Sequence, residues 1–245
     1  MNSIKGVIFD LGGTLIYFDA DWDVVTPQGA ADLAAFLTGH GLALDQDAFA
    51  RAFVEERGRA SQRAEAEGVE YTARMTLQRT LAAFGHVEVD DSLLTQGVET
   101  FFGPEERHWQ AYPDAVATLR RLCDAGYRLA LVSNATDDPL IQRLVDRLGF
   151  RPWLSPVVTS AAAGIRKPHP AIFTRVLEAW TLPPEACVMI GDNLQADIQG
   201  AQQVGMRGIL VTMHEHPSNA QHGASIVPDA QASCLAELPE VIAAL

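Results

Sequence analysis

The chain has 245 residues, enough for one large domain or two small ones around a real core, and its 48% apolar and 20% charged residues are the balance of an ordinary globular protein. Against 31 Asp and Glu stand only 18 Lys and Arg, a formal charge of −13 that repels a phosphate backbone and argues against nucleic acid as a partner. No apolar run approaches a membrane span, residues 1–5 lead straight into a short apolar segment without a signal-type leader, and Cys123, Cys187 and Cys234 are scattered with no CxxC pair, so a reducing cytoplasm is the expected setting.

In chain order, residues 6–9 read as a buried strand, a short apolar run bounded by polar residues, and Asp10-Leu11-Gly12-Gly13-Thr14 follows it. From about residue 19 to 110 the pattern changes to helical periodicity. Helices are predicted over 27–37, with Thr26 as cap and Pro27 in the first turn, then over 47–66, 72–84 and 91–102. The region Gly39 to Gly41 and Gly85 punctuate this helical insertion as turns. Its arginines, among them Arg51, Arg57, Arg59, Arg63, Arg74 and Arg79, are expected on solvated faces, holding an anionic substrate tail being the rarer use. Tyr17, Phe18 and Trp22 either pack a domain joint or line the mouth of a site.

Beyond the insertion, strands over 128–132, 156–159 (the weakest), 186–190 and 208–211 alternate with helices over 114–124, 139–148, 170–180 and 195–204. That alternation describes βαβ units, hence a parallel sheet with helices on both faces. Cys187 falls inside a strand and is expected to pack. His214, His216 and His222 follow the last strand at irregular spacing, which fits a surface loop better than a metal site.

In open parallel sheets ligands bind at the carboxyl ends of the strands. Asp10 follows the first strand, Ser133-Asn134 closes the second, Arg166-Lys167-Pro168 sits in a loop, and Gly191-Asp192-Asn193 closes a third, with Asp197 five residues past Asp192. Taken singly these are a helix cap, a turn and a surface lysine. Their conjunction predicts a carboxylate, a hydroxyl, an ammonium and an acidic pair on one rim. Lysine occurs only at Lys5 and Lys167, which singles out Lys167 further.

These segments, IFDLGGTL, LALVSN, the RKP around Lys167 and IGDNLQADIQGA, resemble the four motifs of the haloacid dehalogenase superfamily over the whole chain. The resemblance implies a doubly wound, Rossmann-like α/β core (1–18 and 108–245) with an inserted all-helical cap domain of type 1 (19–107). It implies a hydrolase in which Asp10 attacks a small phosphorylated metabolite and forms an aspartyl-phosphate. Mg²⁺ would be held by the carboxylates of Asp10 and Asp192 and the backbone carbonyl of Gly12. Ser133, Asn134, Gly13 and Thr14 would hold the phosphoryl oxygens, and Lys167 would offset their charge. Asp197 and Asn193 would stand behind, orienting Lys167 or a water. A monomer or homodimer is expected.

One position departs from the motif. Most phosphatases of this family carry a second aspartate two residues after the nucleophile as general acid and base, a role worth about 10²- to 10⁴-fold in rate; here it is Gly12. Three readings stay open: a phosphatase with another proton donor, Asp19, Asp21 and Asp23 being nearest in sequence; a haloacid dehalogenase or phosphonate hydrolase; or a catalytically weak binding or regulatory module. Dehalogenases of the family lack the Gly-Asp acid present here at Asp192, and phosphonate hydrolases use a cap lysine, whereas the insertion contains none.

Overall fold

The computed structural model describes residues 4–214, 216–223 and 225–245. Strand β1 (Gly6–Phe9) leads through a tight loop to β2 (Ile16–Phe18), then to helices α1 (Trp22–Gly39), α2 (Gln46–Glu67), α3 (Ala73–Ala83) and α4 (Asp91–His108). The chain returns by β3 (Trp109–Ala111), which pairs antiparallel with β2 and so closes the insertion at its base. Next come α5 (Ala115–Asp124), β4 (Arg128–Ser133), α6 (Asp138–Arg147), β5 (Val157–Thr159), α7 (Ser160–Ala163) and α8 (Pro170–Trp180). The last part holds β6 (Cys187–Gly191), a wide π-helical turn (Leu194–Gln199) running into α9 (Gly200–Gln203), β7 (Arg207–Val211), α10 (Asn219–His222), β8 (Ala230–Ala232) and α11 (Leu238–Ala243).

Six strands form one parallel sheet in the order β5-β4-β1-β6-β7-β8. From β1 the chain first builds outward through β4 and β5, then crosses back to β6 on the other side of β1. The reversal puts a crevice at the carboxyl ends of β4, β1 and β6. The sheet is held from both faces because its side chains alternate. Val7, Phe9, Leu129, Leu131, Val188 and Ile190 pack with Leu119, Leu122 and Leu238. On the opposite face, Ile8, Ala130, Val132 and Met189 pack with Ile172, Phe173 and Val176. Each of the larger of these side chains, Val, Leu, Ile, Met or Phe, stabilises the fold by about 1.5–3 kcal/mol when fully buried. Cys187 is buried in this second layer, and burial pushes its thiol up to about 11, so it packs as a small apolar group.

The α/β alternation and the helical insertion match the sequence expectation; several boundaries do not. Helix α1 begins at Trp22 under Asp21, whose carboxylate accepts from the Asp23 amide, and Pro27 lies inside it rather than in its first turn. Helix α4 runs through Gly103-Pro104 to His108, six residues past the predicted end. Proline in a helix interior costs about 3 kcal/mol, and here packing outweighs it: Phe101 and Phe102 just before Pro104 are buried, and Glu106 just after it receives Arg143 Nε at 2.9 Å. The predicted helix 195–204 opens with the π-helical turn because Asn193 Oδ1 accepts from both the Gln195 and Ala196 amides. Strands β2, β3 and β8, three residues each, are not among the predicted elements. Among the described residues no helix is long and apolar enough to cross a membrane.

Candidate active site

Asp10 is the first residue past β1. Its amide still donates to the Ile190 carbonyl at 2.9 Å, so the strand holds the side chain at the rim. The loop then turns sharply, with the Leu15 and Ile16 amides both donating to the Leu11 carbonyl. Gly13 makes the turn at φ +74, in the left-handed region that favours glycine, and a Cβ there would overlap the Asp192 carboxylate. Glycine at this position is what lets the loops after β1 and β6 touch.

Lys167 enters from the loop before α8 and is 3% exposed. Its ammonium donates to Asp10 Oδ1 and to Asp197 Oδ1, both at 2.6 Å. Its backbone is clamped by Asn134, whose Oδ1 accepts from the Lys167 amide (2.8 Å) and whose Nδ2 donates to the Lys167 carbonyl (3.0 Å). The second oxygen of Asp197 accepts from the Asn193 amide at 3.0 Å. Ligand oxygens of Asp10, Asp192 and Asp197 all lie within 4.8 Å of one another.

Three buried carboxylates facing one ammonium set the electrostatics. Burial pushes Asp192 up to about 8, with the charges of Asp10 and Asp197 adding to the rise. Burial likewise raises Asp197, to about 6, with Lys167 opposing. Burial alone would lower Lys167, but Asp10 and Asp197 outweigh it and raise it, so it stays charged. The cluster carries more negative charge than Lys167 neutralises, which is the condition for drawing in a cation.

A cavity of about 270 Å³ opens over this cluster, lined by Asp10, Gly12, Ser133, Lys167 and Asp192 among others. A second, of about 470 Å³, lies between the sheet and the helical insertion and shares Gly12, Ser133, Asn134 and Arg166 with the first. Ser133 is 5% exposed and faces both. Thr14 is fully buried, lines neither cavity, and its hydroxyl has no partner among the described residues. Asn193 caps the π-helical turn.

Neither cavity is lined by Asp19, Asp21 or Asp23. Asp19 meets His108 Nδ1 at 2.9 Å at the base of the insertion, and Asp21 caps α1. Tyr17, Phe18 and Trp22 do not line the cavities either: Phe18 stacks on Trp22 at 3.7 Å, packing the joint. The aromatic that does face the site is Trp109, whose ring edge lies 3.4 Å from where a Cβ of Gly12 would stand. His216, expected in a surface loop, is half-buried and lines the smaller cavity beside Asp10. Glu65 reaches the same cavity from α2. Arg57 and Glu105 line the larger one. Glu65 and Glu105 have no sequence signal, and Arg57 and His216, though named from the sequence, were expected at the surface; each is placed by tertiary folding of the insertion or of the loop after β7.

The family model described as haloacid dehalogenase-like hydrolase matches residues 4–205. Over 212 residues, 85% of this chain and 81% of the other, the chain is 26% identical to "Glyceraldehyde 3-phosphate phosphatase" of Pyrococcus furiosus. It is 36% identical over 123 residues to "Phosphoserine phosphatase" of Thermus thermophilus, half of this chain and 49% of that protein. Among solved structures, a 2-haloacid dehalogenase from Pseudomonas syringae pv. Tomato superposes with a TM-score of 0.70 at 28% identity, covering 98% of this chain and 99% of that one. With the profile spanning most of the sequence and the fold shared end to end, the chain belongs to the haloacid dehalogenase-like hydrolases.

Proposed function

We propose that this hydrolase is a Mg²⁺-dependent phosphatase of a small phosphorylated metabolite, with Asp10 as nucleophile. The observation that carries the reading is the contact of Asp10 with a buried lysine beside a second buried carboxylate, Asp192, under a cavity large enough for a phosphoryl group. A phosphate ester and a carboxylate repel, so a site that joins them must supply positive charge in fixed places. Lys167 supplies one such charge, and its double anchoring on Asp10 and Asp197 aims it at the nucleophile.

The residues present fit a divalent cation. Oxygen-only donors, an excess of buried negative charge and the close approach of the Asp192 and Asp10 loops at Gly13 suit a hard ion. Asp10, Asp192 and the Gly12 carbonyl would hold it, Asp197 being engaged by Lys167 and the Asn193 amide. When bound, the ion supplies charge neutralisation between carboxylate and phosphate. The corresponding prediction needs no turnover: Mg²⁺ should raise the melting temperature of the wild type and leave that of Asp192→Asn unmoved, since a ligand at 100 times its Kd stabilises by about 2.7 kcal/mol. An equal shift in both proteins rejects this site.

In the reaction, an Asp10 oxygen attacks phosphorus as the P–O bond to the alcohol breaks, the leaving oxygen taking a proton from water because Gly12 supplies none, which gives an aspartyl-phosphate; water then attacks that phosphorus, loses its proton to solvent, and releases inorganic phosphate with Asp10 regenerated. Ser133 holds a phosphoryl oxygen. Asn134 contributes by fixing the Lys167 backbone. Residues 19–107 serve as a cap that excludes water from the reaction.

The test is phosphate release across a panel of sugar phosphates, nucleotides and phosphorylated acids, with and without Mg²⁺. Mg²⁺-dependent release that vanishes in Asp10→Asn supports the reading; silence across the panel leaves a binding module. The dehalogenase reading draws on the 28% identical structure. Asp192 facing Asp10 weighs against it, and metal-independent halide release from 2-haloacids would establish it.

A further inference from the structure

The larger cavity adjoins the reacting centre at Gly12 and Ser133, so under the phosphatase reading it receives the leaving group. Its walls are largely apolar: Val54, Phe102, Trp109, Leu140, Ile141 and Leu144. Into this lining projects the guanidinium of Arg57, from the middle of α2.

Arg57 differs from Arg59, Arg63, Arg74 and Arg79. Arg59, Arg63 and Arg79 gather on Glu56 at 2.8, 2.8 and 3.2 Å, and Arg74 donates to Asp91 and Thr95. Arg57 has neither a hydrogen bond nor an ion pair within 4.0 Å among the described residues. Its contacts are with ring faces, 4.5 Å above Phe101 and 5.7 Å from Phe102. A guanidinium carries five N–H donors in a fixed fork and does not give up its charge. Burial lowers its proton affinity, and Glu105 offsets this only through space.

The remaining charged groups of the cavity are already committed. Glu105 accepts from the Trp109 indole at 3.2 Å, Asp137 accepts from the Leu140 amide at 2.9 Å as the cap of α6, and Glu70 is bonded to Ser160 at 2.7 Å with Arg166 at 3.8 Å. Arg166, at the edge shared with the smaller cavity, has its ion pair with Glu70; what the apolar wall itself offers a ligand is the Arg57 fork, with neither a hydrogen bond nor an ion pair among the described residues. The geometry points to a leaving group that ends in a carboxylate, read by Arg57, so that the substrates are phosphomonoesters of small organic acids. A fork donor matches a carboxylate with two parallel N–H···O bonds. Burial raises Glu105 and Glu70 toward their neutral forms, which leaves the Arg57 charge for a monoanion, whereas a second phosphate dianion would call for more positive charge than the walls hold. A cationic tail would meet Arg57 head-on.

The inference rests on the phosphatase reading, and matched esters separate the two. With Mg²⁺, kcat/KM is measured for 3-phosphoglycerate against glycerol 3-phosphate, and phosphoglycolate against 2-hydroxyethyl phosphate; each pair exchanges a carboxylate for an alcohol on one skeleton. The wild type should favour the acid by tenfold or more in at least one pair. In Arg57→Met, which keeps length without charge, the ratio should fall toward one, mostly through KM; Arg57→Lys should retain part of it. Circular dichroism and melting temperature check that the variants fold.

Wild-type hydrolysis of phenyl phosphate that depends on Asp10, with no preference for either acid, overturns the Arg57 assignment and leaves the phosphatase standing. An acid preference that survives in Arg57→Met overturns it as well. If neither phenyl phosphate nor any of the four esters is hydrolysed, the phosphatase reading fails first, and calorimetry on Asp10→Asn still decides: 3-phosphoglycerate should bind more tightly than glycerol 3-phosphate, and equal affinities reject the inference.

Discussion

At the scale of single residues, the site depends on how closely two loops approach, and Gly13 sets that distance. Gly13→Ala puts a methyl group into the space of the Asp192 carboxylate at a φ of +74 that an L-residue rarely adopts. Strain of this kind costs about 1–3 kcal/mol, and misplacing a reacting group by an ångström costs about 10²-fold in rate. Gly13→Ala should therefore lose about 100-fold in kcat/KM while remaining folded, and a variant within threefold of wild type would show that the Asp192 loop moves freely. Lys167→Met is a different injury. It leaves Asp10 and Asp197 buried without their shared ammonium, and breaking a buried pair by removing one partner costs about 3–5 kcal/mol. Urea unfolding without metal measures the loss; a loss below about 1 kcal/mol would mean that water already screens the cluster. Asp10, Lys167 and Asp192 were legible because each sits where an apolar run or an RKP loop ends. Arg57 and Glu105 were not, since inward and outward arginines on a polar helix have the same sequence appearance until the helix is docked.

Among the elements, α2 shows how a polar helix is fixed in place. Glu56 is buried on it, and Arg59, Arg63 and Arg79 converge on its carboxylate. Burial tends to raise its pKa, but the three guanidinium groups win and hold it below the ordinary carboxylate value. A folded pKa below the unfolded one contributes stability above the unfolded value and loses it as pH falls through the folded value. Glu56→Gln should cost about 1–2 kcal/mol at pH 7. The difference from wild type should shrink below pH 4.5 as Glu56 itself takes up a proton, and a pH-independent difference would assign the cost to packing alone. The same helix presents Arg57 to the cavity one residue after this cluster. Element type was readable from periodicity, but ends were not: Pro27, read as first-turn, lies inside α1, and α4, expected to end at 102, continues through Pro104. Local propensity sets where a helix ends only when packing on either side is weak. The wide turn after Asp192 was likewise invisible, because it depends on the Asn193 side chain accepting from two amides.

For the molecule as a whole, the insertion meets the core at its base, along α4 against α6 through Glu106 and Arg143, and across the cavity, and the last bears on the chemistry. At its base, β2 and β3 pair and the Asp19 amide donates to the His108 carbonyl. Across the cavity, Val69 bridges Ile165, the Arg166 amide donates to the Gly68 carbonyl, and the Ala73 amide donates to the Thr136 carbonyl. These contacts fall one residue before Lys167 and three after Ser133, so the seating of the insertion and the loops that hold the phosphate-facing side chains are mechanically one unit. Glu70 locks this seam: it is 4% exposed, its Oε2 accepts from Ser160 at 2.7 Å, and its Oε1 has no partner among the described residues. Burial raises its pKa, with Ser160 and Arg166 only partly opposing. A carboxyl whose folded pKa is raised loses stability as pH climbs from the unfolded value through the folded one, since the folded state then holds a charge that it solvates poorly. Glu70→Gln keeps the bond to Ser160 without that charge, so its melting temperature should exceed the wild type's at pH 8, with the gap closing toward pH 4. Ser160→Ala should do the reverse, costing about 1–3 kcal/mol by stripping Glu70 of its donor and speeding amide exchange over residues 68–73. If Glu70→Gln is no more stable than wild type at pH 8, the carboxylate is held by Arg166 after all, and the seam is an ion pair rather than a buried hydrogen bond.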